Sequence, residues 1–308
     1  MLVFIIRRVL QTIPVLIGVT FVVFIMLHLM PGDPAVIIGG EAASPETLHQ
    51  IREDLGLFDP VPVQYFRFLR GAVRGDLGMS MRNRDRAVVD EIFDARFGIT
   101  VQLAVVSTAF SVLLGLVIGI VSATRKYSIG DTALMLFALL GLSMPNFWLG
   151  ILMMNFFAVT LRILPTSGWG TWQQMIMPVV MLGVTGTAVI ARMTRASLLD
   201  VLNQDYIRTA YSKGLAERKV IFKHALRNAL IPVITVVGLQ FGGLLAGAVL
   251  TETVFAINGL GRLIVQSIAN RDFPMAQGGI LIIATMFVLV NTIVDITYKL
   301  VNRRIDLN

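Results

Sequence analysis

Residues 9–29 read VLQTIPVLIGVTFVVFIMLHL, 21 positions without a formal charge. At about 1.5 Å of rise per residue, a helix of this length is roughly 30 Å long, the thickness of the hydrocarbon core of a bilayer. The run therefore reads as a membrane span. Arg7 and Arg8 precede it as they would in a signal peptide, but the run is too long for a signal's apolar stretch and no small-x-small cleavage pattern follows. An uncleaved anchor is expected. Pro14 within it is tolerable, because neighbouring helices can satisfy the carbonyl it frees.

Composition extends this reading to the whole chain. Its 308 residues are 56% hydrophobic and 15% charged, with a mean hydropathy of +0.77, whereas about a quarter of a soluble chain is charged. Further apolar runs at 99–123, 133–159, about 175–190, 229–254 and 278–301 bring the expected spans to six. The fold class is thus all-α and polytopic. The fourth run is the weakest: Pro178 lies near its start, Gly183 and Gly186 interrupt it, and it is long enough only if Trp172 marks its outer interface. Residues 31–98 are polar. There Pro31-Gly32-Asp33-Pro34 ends the first helix, and 45–55 has helical spacing with Ser44 as N-cap. The chain divides into a first region and span at 1–30, an extramembrane loop subdomain at 31–98 and a core membrane domain at 99–308.

With no cysteine, disulfides and thiolate metal sites are excluded. The formal charge of +7 does not indicate nucleic acid, because the basic residues gather at the ends of apolar runs, as topology signals do. Six spans put both termini on one side. That side carries Arg7, Arg8, Arg125, Lys126, eight basic residues between Arg192 and Asn228, and Lys299, Arg303 and Arg304; the opposite short loops carry Arg162, Arg262 and Arg271. An excess of Lys and Arg marks the cytoplasmic face. Both termini are expected inside and the long first loop outside.

Enzymatic chemistry is hard to find. There is no G-x-x-x-x-G-K-[ST] loop for nucleotide phosphates, no H-E-x-x-H and no G-x-S-x-G. His28, near the end of the first span, reads as an interfacial residue rather than a ligand. Among polar residues within spans, Asp295 reads as one half of an i,i+4 pair with Lys299, and Glu252 as solvated at the outer mouth. Gln240, Asn155 and Asn291 have two readings: lining a path or hydrogen-bonding neighbouring helices. In the fifth span, Gly238, Gly242 and Ala246, with Gly243 and Gly247, permit close helix approach.

The basic segment 205–232, DYIRTAYSKGLAERKVIFKHALRNALIP, is too long for a simple connector. One helix is expected over 200–213, with Gly214 as a left-handed C-cap, and a second over 217–230 running into the fifth span. The eight basic residues between Arg192 and Asn228 suit a lie on anionic lipid. Against that, Ala210, Leu215, Val220 and Phe222 set apolar groups around a tight corner, which favours insertion into a protein cleft.

These residues carry a resemblance. Arg208-Thr209-Ala210-Tyr211-Ser212-Lys213-Gly214-Leu215, followed by His224-Ala225-Leu226-Arg227-Asn228-Ala229-Leu230-Ile231-Pro232, resembles the EAA loop of permease subunits in binding-protein-dependent ABC importers, in the version of the dipeptide, oligopeptide, nickel and glutathione branch. The stretches 29–34 (LMPGDP), 75–78 (GDLG), 192–196 (RMTRA), 252–255 (ETVF) and 259–263 (GLGRL) match the same branch. Two departures stand out. Arg208 and Thr209 replace the Glu-Ala of the general pattern, and 302–306 reads NRRID where many relatives have Asp-Pro-Arg-Ile-Arg.

The resemblance implies half of a translocation path, paired with a homologous second permease, two cytoplasmic ATPase subunits that bind ATP and Mg, and an extracytoplasmic substrate-binding protein. In that family the segment at 200–232 is a coupling helix seated in the ATPase. By position Arg208, Thr209, Ala210, Lys213, Gly214, Leu215, His224, Arg227 and Pro232 carry the coupling. The implied cargo is a di- or oligopeptide, with nickel or glutathione as alternatives. An autonomous secondary transporter or channel is the rival of another class, and it would depend on Asp295 and need no ATPase.

Overall fold

The computed structural model describes residues 2–29, 33–40, 42–83 and 85–301. Fourteen α-helices are ordered along these residues, and no β-strand occurs among them; Met79 and Ala87 form an isolated antiparallel bridge. Five helices are long and apolar enough to cross a membrane. A sixth crossing exists if one bent pair counts as a span. The chain separates into two compact units, Met1–Thr100 with Asn258–Val288, and Val101–Ile257 with Leu289–Asn308.

In the first unit, α1 (Leu2–His28) is the first span and contains Pro14 without a break. The expected turn at Met30, Pro31 and Gly32 lies outside the described residues. Short helices follow: α2 (Pro34–Gly39), α3 (Pro45–Asp54), α4 (Val61–Val73) and α5 (Val88–Ala95). Ser44 caps α3 as expected, its Oγ accepting from the Thr47 N–H at 3.2 Å. Aromatic contacts join α1 to α4, with Phe24 and Tyr65 rings 5.4 Å apart and the Tyr65 hydroxyl donating to the Ile17 carbonyl at 3.1 Å. His28 stacks on Phe24.

The unit's core joins Leu77, Val88 and Ile92 to Leu260, Leu263 and Ile264 of α13 (Leu260–Ala269) and to Met275 at the start of α14 (Phe273–Val301). Buried Asp272 closes the N-terminus of α14, accepting from the Met275 N–H at 3.4 Å, the Met81 N–H at 3.1 Å and the Ser80 hydroxyl. A charged cap held by loop residues 190 positions away in sequence ties the loop subdomain to this helix start.

Two carboxylates paired with arginines also hold this unit. Partial burial raises the Asp33 carboxyl, but the Arg52 guanidinium and the Ala35 N–H outweigh it and leave it below the ordinary value of 3.8. Glu91, pulled up by burial and down by Arg86 and Arg96 at 2.7 and 3.1 Å, also ends below its ordinary value of 4.5. Carboxyls depressed in the folded state contribute stability above their unfolded pKa and lose it as pH falls through the folded one. Protease resistance of the loop subdomain is therefore expected to be constant near neutrality and to fall below about pH 4. R52Q should flatten that fall; an unaltered pH profile would contradict it.

The second unit is built around α9 (Trp172–Leu202). In its apolar window 61% of residues are buried, against 6% to 28% in the other four long spans, and α7 (Ile129–Ser143), α8 (Asn146–Met153) and α12 (Leu226–Val254) pack on it. The run expected to be weakest lies in the longest uninterrupted α-helix among the described residues, 31 residues. Gly183 and Gly186 do not interrupt it. They face α6 (Phe97–Thr124): a Cβ at Gly183 would meet Phe110 Cδ1 at 2.4 Å, and one at Gly186 would meet Ser111 Oγ at 2.7 Å. Ser111 also donates to the Gly183 carbonyl at 2.8 Å. From the other side, a Cβ at Gly119 of α6 would lie 2.7 Å from the Ala191 carbonyl oxygen. Small residues on both helices thus let two backbones approach, the usual device where hydrophobicity cannot drive helix association.

The third apolar run is corrected. In place of one helix over 133–159, α7 (Ile129–Ser143) and α8 (Asn146–Met153, continuing π-helically through Met154–Thr160) meet at 102°. Met144 and Pro145 are extended, with ψ of 131° and 128°, as expected for a residue before proline and for the proline itself. Asn146, just past the break, accepts from the Thr185 hydroxyl of α9 at 2.8 Å.

Candidate functional site

Past α9 the chain turns through Asn203 and Gln204 into α10 (Asp205–Ser212). Asp200 belongs to α9, so the first elbow helix starts five residues later than expected. Gly214 follows at φ +75°. Its N–H donates to the Tyr211 carbonyl at 2.9 Å, and the Leu215 N–H to the Ala210 carbonyl at 3.4 Å. These are the two bonds of a Schellman C-cap, and the left-handed backbone between them suits glycine. The chain re-enters helix at α11 (Glu217–Lys219) and continues through a π-helical turn, Val220–Ala225, into α12 (Leu226–Val254).

The elbow has two faces. Ile207, Ala210, Val220 and Ala225 are buried against Ala123 of α6, Leu198 of α9 and Ala229 of α12, with Leu215 packed beside them. Asn228 Nδ2 donates to the Tyr206 hydroxyl at 2.8 Å, joining α10 to α12. The expectation that Ala210, Leu215 and Val220 face a partner is corrected, since all three pack within the chain. Phe222, 55% exposed, does face outward, together with Tyr206 and Tyr211, each 44% exposed. Arg208, Thr209, Lys213, Gly214 and Arg227 are also exposed; His224 and Pro232 are half-buried. Arg208 makes one loose contact with Asp205 at 3.7 Å. Exposed aromatics among uncompensated cations resemble the anchors of a protein interface more than a solvated loop. Tyr206 and Tyr211 lay in the quoted segment 205–232, but their exposure depends on which face Ile207 and Ala210 bury.

The expected path residues are not gathered into one cluster. Asn155 is exposed on the π-helical end of α8, Gln240 is half-buried on α12 and Asn291 half-buried on α14. Glu252 departs from expectation: it is fully buried near the end of α12, not solvated. Asp295 is half-buried on α14, and the side chain of Lys299 lies outside the described residues, as do those of Ala246 and Gly247 and the tail 302–306. Of the glycines in the fifth span, Gly238 approaches α14, where a Cβ would meet Val294 Cγ2 at 2.2 Å; Gly243 faces open space.

A second polar centre went unnoticed in the sequence. Asp131, in the first turn of α7, accepts from Arg195 Nε and Nη2 at 2.8 and 2.7 Å, from the Tyr127 N–H at 2.9 Å and from the Ser122 hydroxyl. It ties α7 to α9, and α6 through Ser122. Its signal was an acid at the start of an apolar run.

A helical membrane unit with an outward-facing aromatic and basic elbow can be compared with known proteins. The family model for "Binding-protein-dependent transport system inner membrane component" matches residues 115–307, and its N-terminal companion matches residues 1–104. The chain belongs to this family. Among its relatives, the dipeptide transport system permease protein DppB of Escherichia coli K12 is 42% identical, covering 99% of each chain. The glutathione transport system permease protein GsiC of Pectobacterium atrosepticum is 47% identical over 98% of each. An inward-facing structure of the MetNI methionine ABC transporter aligns with a TM-score of 0.57 at 21% identity, covering 67% of this chain and 94% of that one. At that identity the structural match establishes the fold. The family is one of transport components, so this subunit is a membrane-embedded translocator, and the absence of enzymatic motifs from its sequence accords with that.

Proposed function

We propose that this chain forms half of the translocation path of an ATP-driven importer of short peptides. The observation carrying this is end-to-end similarity to permeases named for a dipeptide and for glutathione, itself a tripeptide. The other half of the path is a homologous permease, the cargo arrives on an extracytoplasmic binding protein, and two ATPase subunits hold ATP and Mg. Both termini and the elbow are cytoplasmic, on the basic-residue asymmetry of the loops.

The elbow's outer face is the ATPase contact. Tyr206, Tyr211 and Phe222 supply apolar anchors, and Arg208, Lys213 and Arg227 supply charge. Ala210, Leu215 and His224 act within the fold, holding the elbow against the ends of the spans. ATP binding draws the elbow with the ATPases and shifts the spans between inward-open and outward-open states, which requires the ATPases to contact the two states differently. Asn155, Gln240 and Asn291 are proposed to line the path in the assembled pair, where a second chain faces them.

Gly214 offers a clean test. Nothing lies within 4 Å of a Cβ built at this exposed position, so a side chain leaves the backbone into open space, at a cost of about 1–2 kcal/mol of left-handed backbone strain. Gly214→Trp is expected to leave a folded permease that fails to co-purify with its ATPases and supports no peptide uptake in proteoliposomes. Full assembly and uptake by the variant would refute the coupling assignment. Uptake by the wild-type chain without ATPases would favour the autonomous carrier.

A further inference from the structure

Between α7 and α9 lies an open cleft of about 580 Å³, and the two helices are held together at two points along it. At one end the two guanidinium bonds from Arg195 to Asp131 pin the helices together. At the other, a Cβ at Gly141 would stand 2.5 Å from Val184 Cγ1, so the Val184 side chain packs on the bare backbone of α7. The pins are about 15 Å apart along α7. Between them Met135, Leu136 and Leu139 wall the cleft on the α7 side, and Leu136 and Leu139 are about half exposed.

The mouth of this cleft is basic. Asp131 is saturated by four donors and neutralises Arg195. Arg192, one turn earlier on α9, also lines the cleft, is exposed and has no ion-pair partner among the described residues. Arg125 and Lys126 stand immediately before Tyr127, another residue of the mouth. An unpaired guanidinium above an apolar slot matches one ligand chemistry: a phosphate monoanion joined to acyl chains. A docked protein helix would have to bring its own acid to this depth, whereas every anionic phospholipid carries both parts.

We infer that the α7–α9 cleft is a binding site for an anionic glycerophospholipid of the cytoplasmic leaflet, with Arg192 contacting the phosphate and Met135, Leu136 and Leu139 an acyl chain. This rests on the orientation proposed above, which puts Arg125, Lys126 and Arg192 at the inner interface. The Asp131–Arg195 pair fixes the spacing of the two helices at its mouth.

The chain has no cysteine, so Leu136→Cys gives this subunit a single thiol for a photoreactive label, attached before the complete importer is assembled and reconstituted in vesicles of phosphatidylglycerol and phosphatidylcholine. Illumination is expected to give a phosphatidylglycerol adduct on this subunit. An adduct with the second permease in its place, or no phosphatidylglycerol adduct, overturns the inference. Native mass spectrometry of the Arg192→Gln complex should show about five-fold less retained phosphatidylglycerol, the factor corresponding to about 1 kcal/mol per basic residue at a membrane surface. Its unfolding temperature should match wild type, since no ion pair is lost; equal lipid retention would also overturn the inference. Peptide uptake by the wild-type complex is a separate readout, so the lipid site can fail while the transport reading stands.

Discussion

Replacing Asp131 with Ala is expected to lower the stability of the purified chain by about 3 kcal/mol, the lower end of the cost of breaking a buried ion pair by deleting one partner. The carboxylate accepts four hydrogen bonds, from α6, the α6–α7 turn and α9. The lower end applies because Arg195 stays 25% exposed and can recover some solvation once unpaired, while Asp131 itself is only 5% exposed. The deletion also strands the Ser122 hydroxyl, which is fully buried. Thermal or denaturant unfolding in detergent measures the loss. The double variant Asp131→Leu/Arg195→Leu should recover most of it, because two apolar residues leave no uncompensated charge. A single variant as stable as wild type would mean that the pair does not close α7 onto α9.

Gly119→Val should cost on the order of 1–3 kcal/mol or more by overpacking the α6–α9 contact. Its Cβ would fall 2.5 Å from Thr194 Cβ and 2.7 Å from the Ala191 carbonyl oxygen. Neither obstacle is the far end of a flexible side chain, so the helices must separate, and one turn away Gly115 faces Ile190 in the same way. Gly243→Ala is the matched control: no atom lies within 4 Å of the added methyl, so the variant is expected to unfold like wild type. Unfolding temperatures of the two variants decide the matter. Equal values would show that the approach of α6 to α9 does not depend on glycine.

The spans were legible because hydropathy is a local property: a run of some 20 apolar residues has few alternatives to a membrane helix. The end of the elbow helix was legible for the same reason, since one glycine after an amphipathic turn specifies its own C-cap. The break in the third span was not. Pro14, Pro145, Pro178 and Pro232 all sit in apolar runs, and three of them lie inside continuous helices. What distinguishes Pro145 is its neighbour Asn146, whose side chain is taken by Thr185 some 40 positions away. Facing was equally hidden. Ala210 and Val220 read as partner contacts until the ends of α6, α9 and α12 were seen to cover them, and Glu252 read as solvated until the fold buried it. In each case local sequence set the element and a distant residue set its environment.

The π-helical turn at Val220–Ala225 has a mechanical meaning. Helix runs without a gap from Glu217 to Val254, so the elbow is fused to the fifth span and not hung from it by a loop. Thirty-eight helical residues extend roughly 55 Å. A rod of that length converts a small tilt at its elbow end into an opposite swing at its far end, with little slack between the two. The elbow and the span can therefore be treated as one part, with the packed glycines of the unit as its bearing.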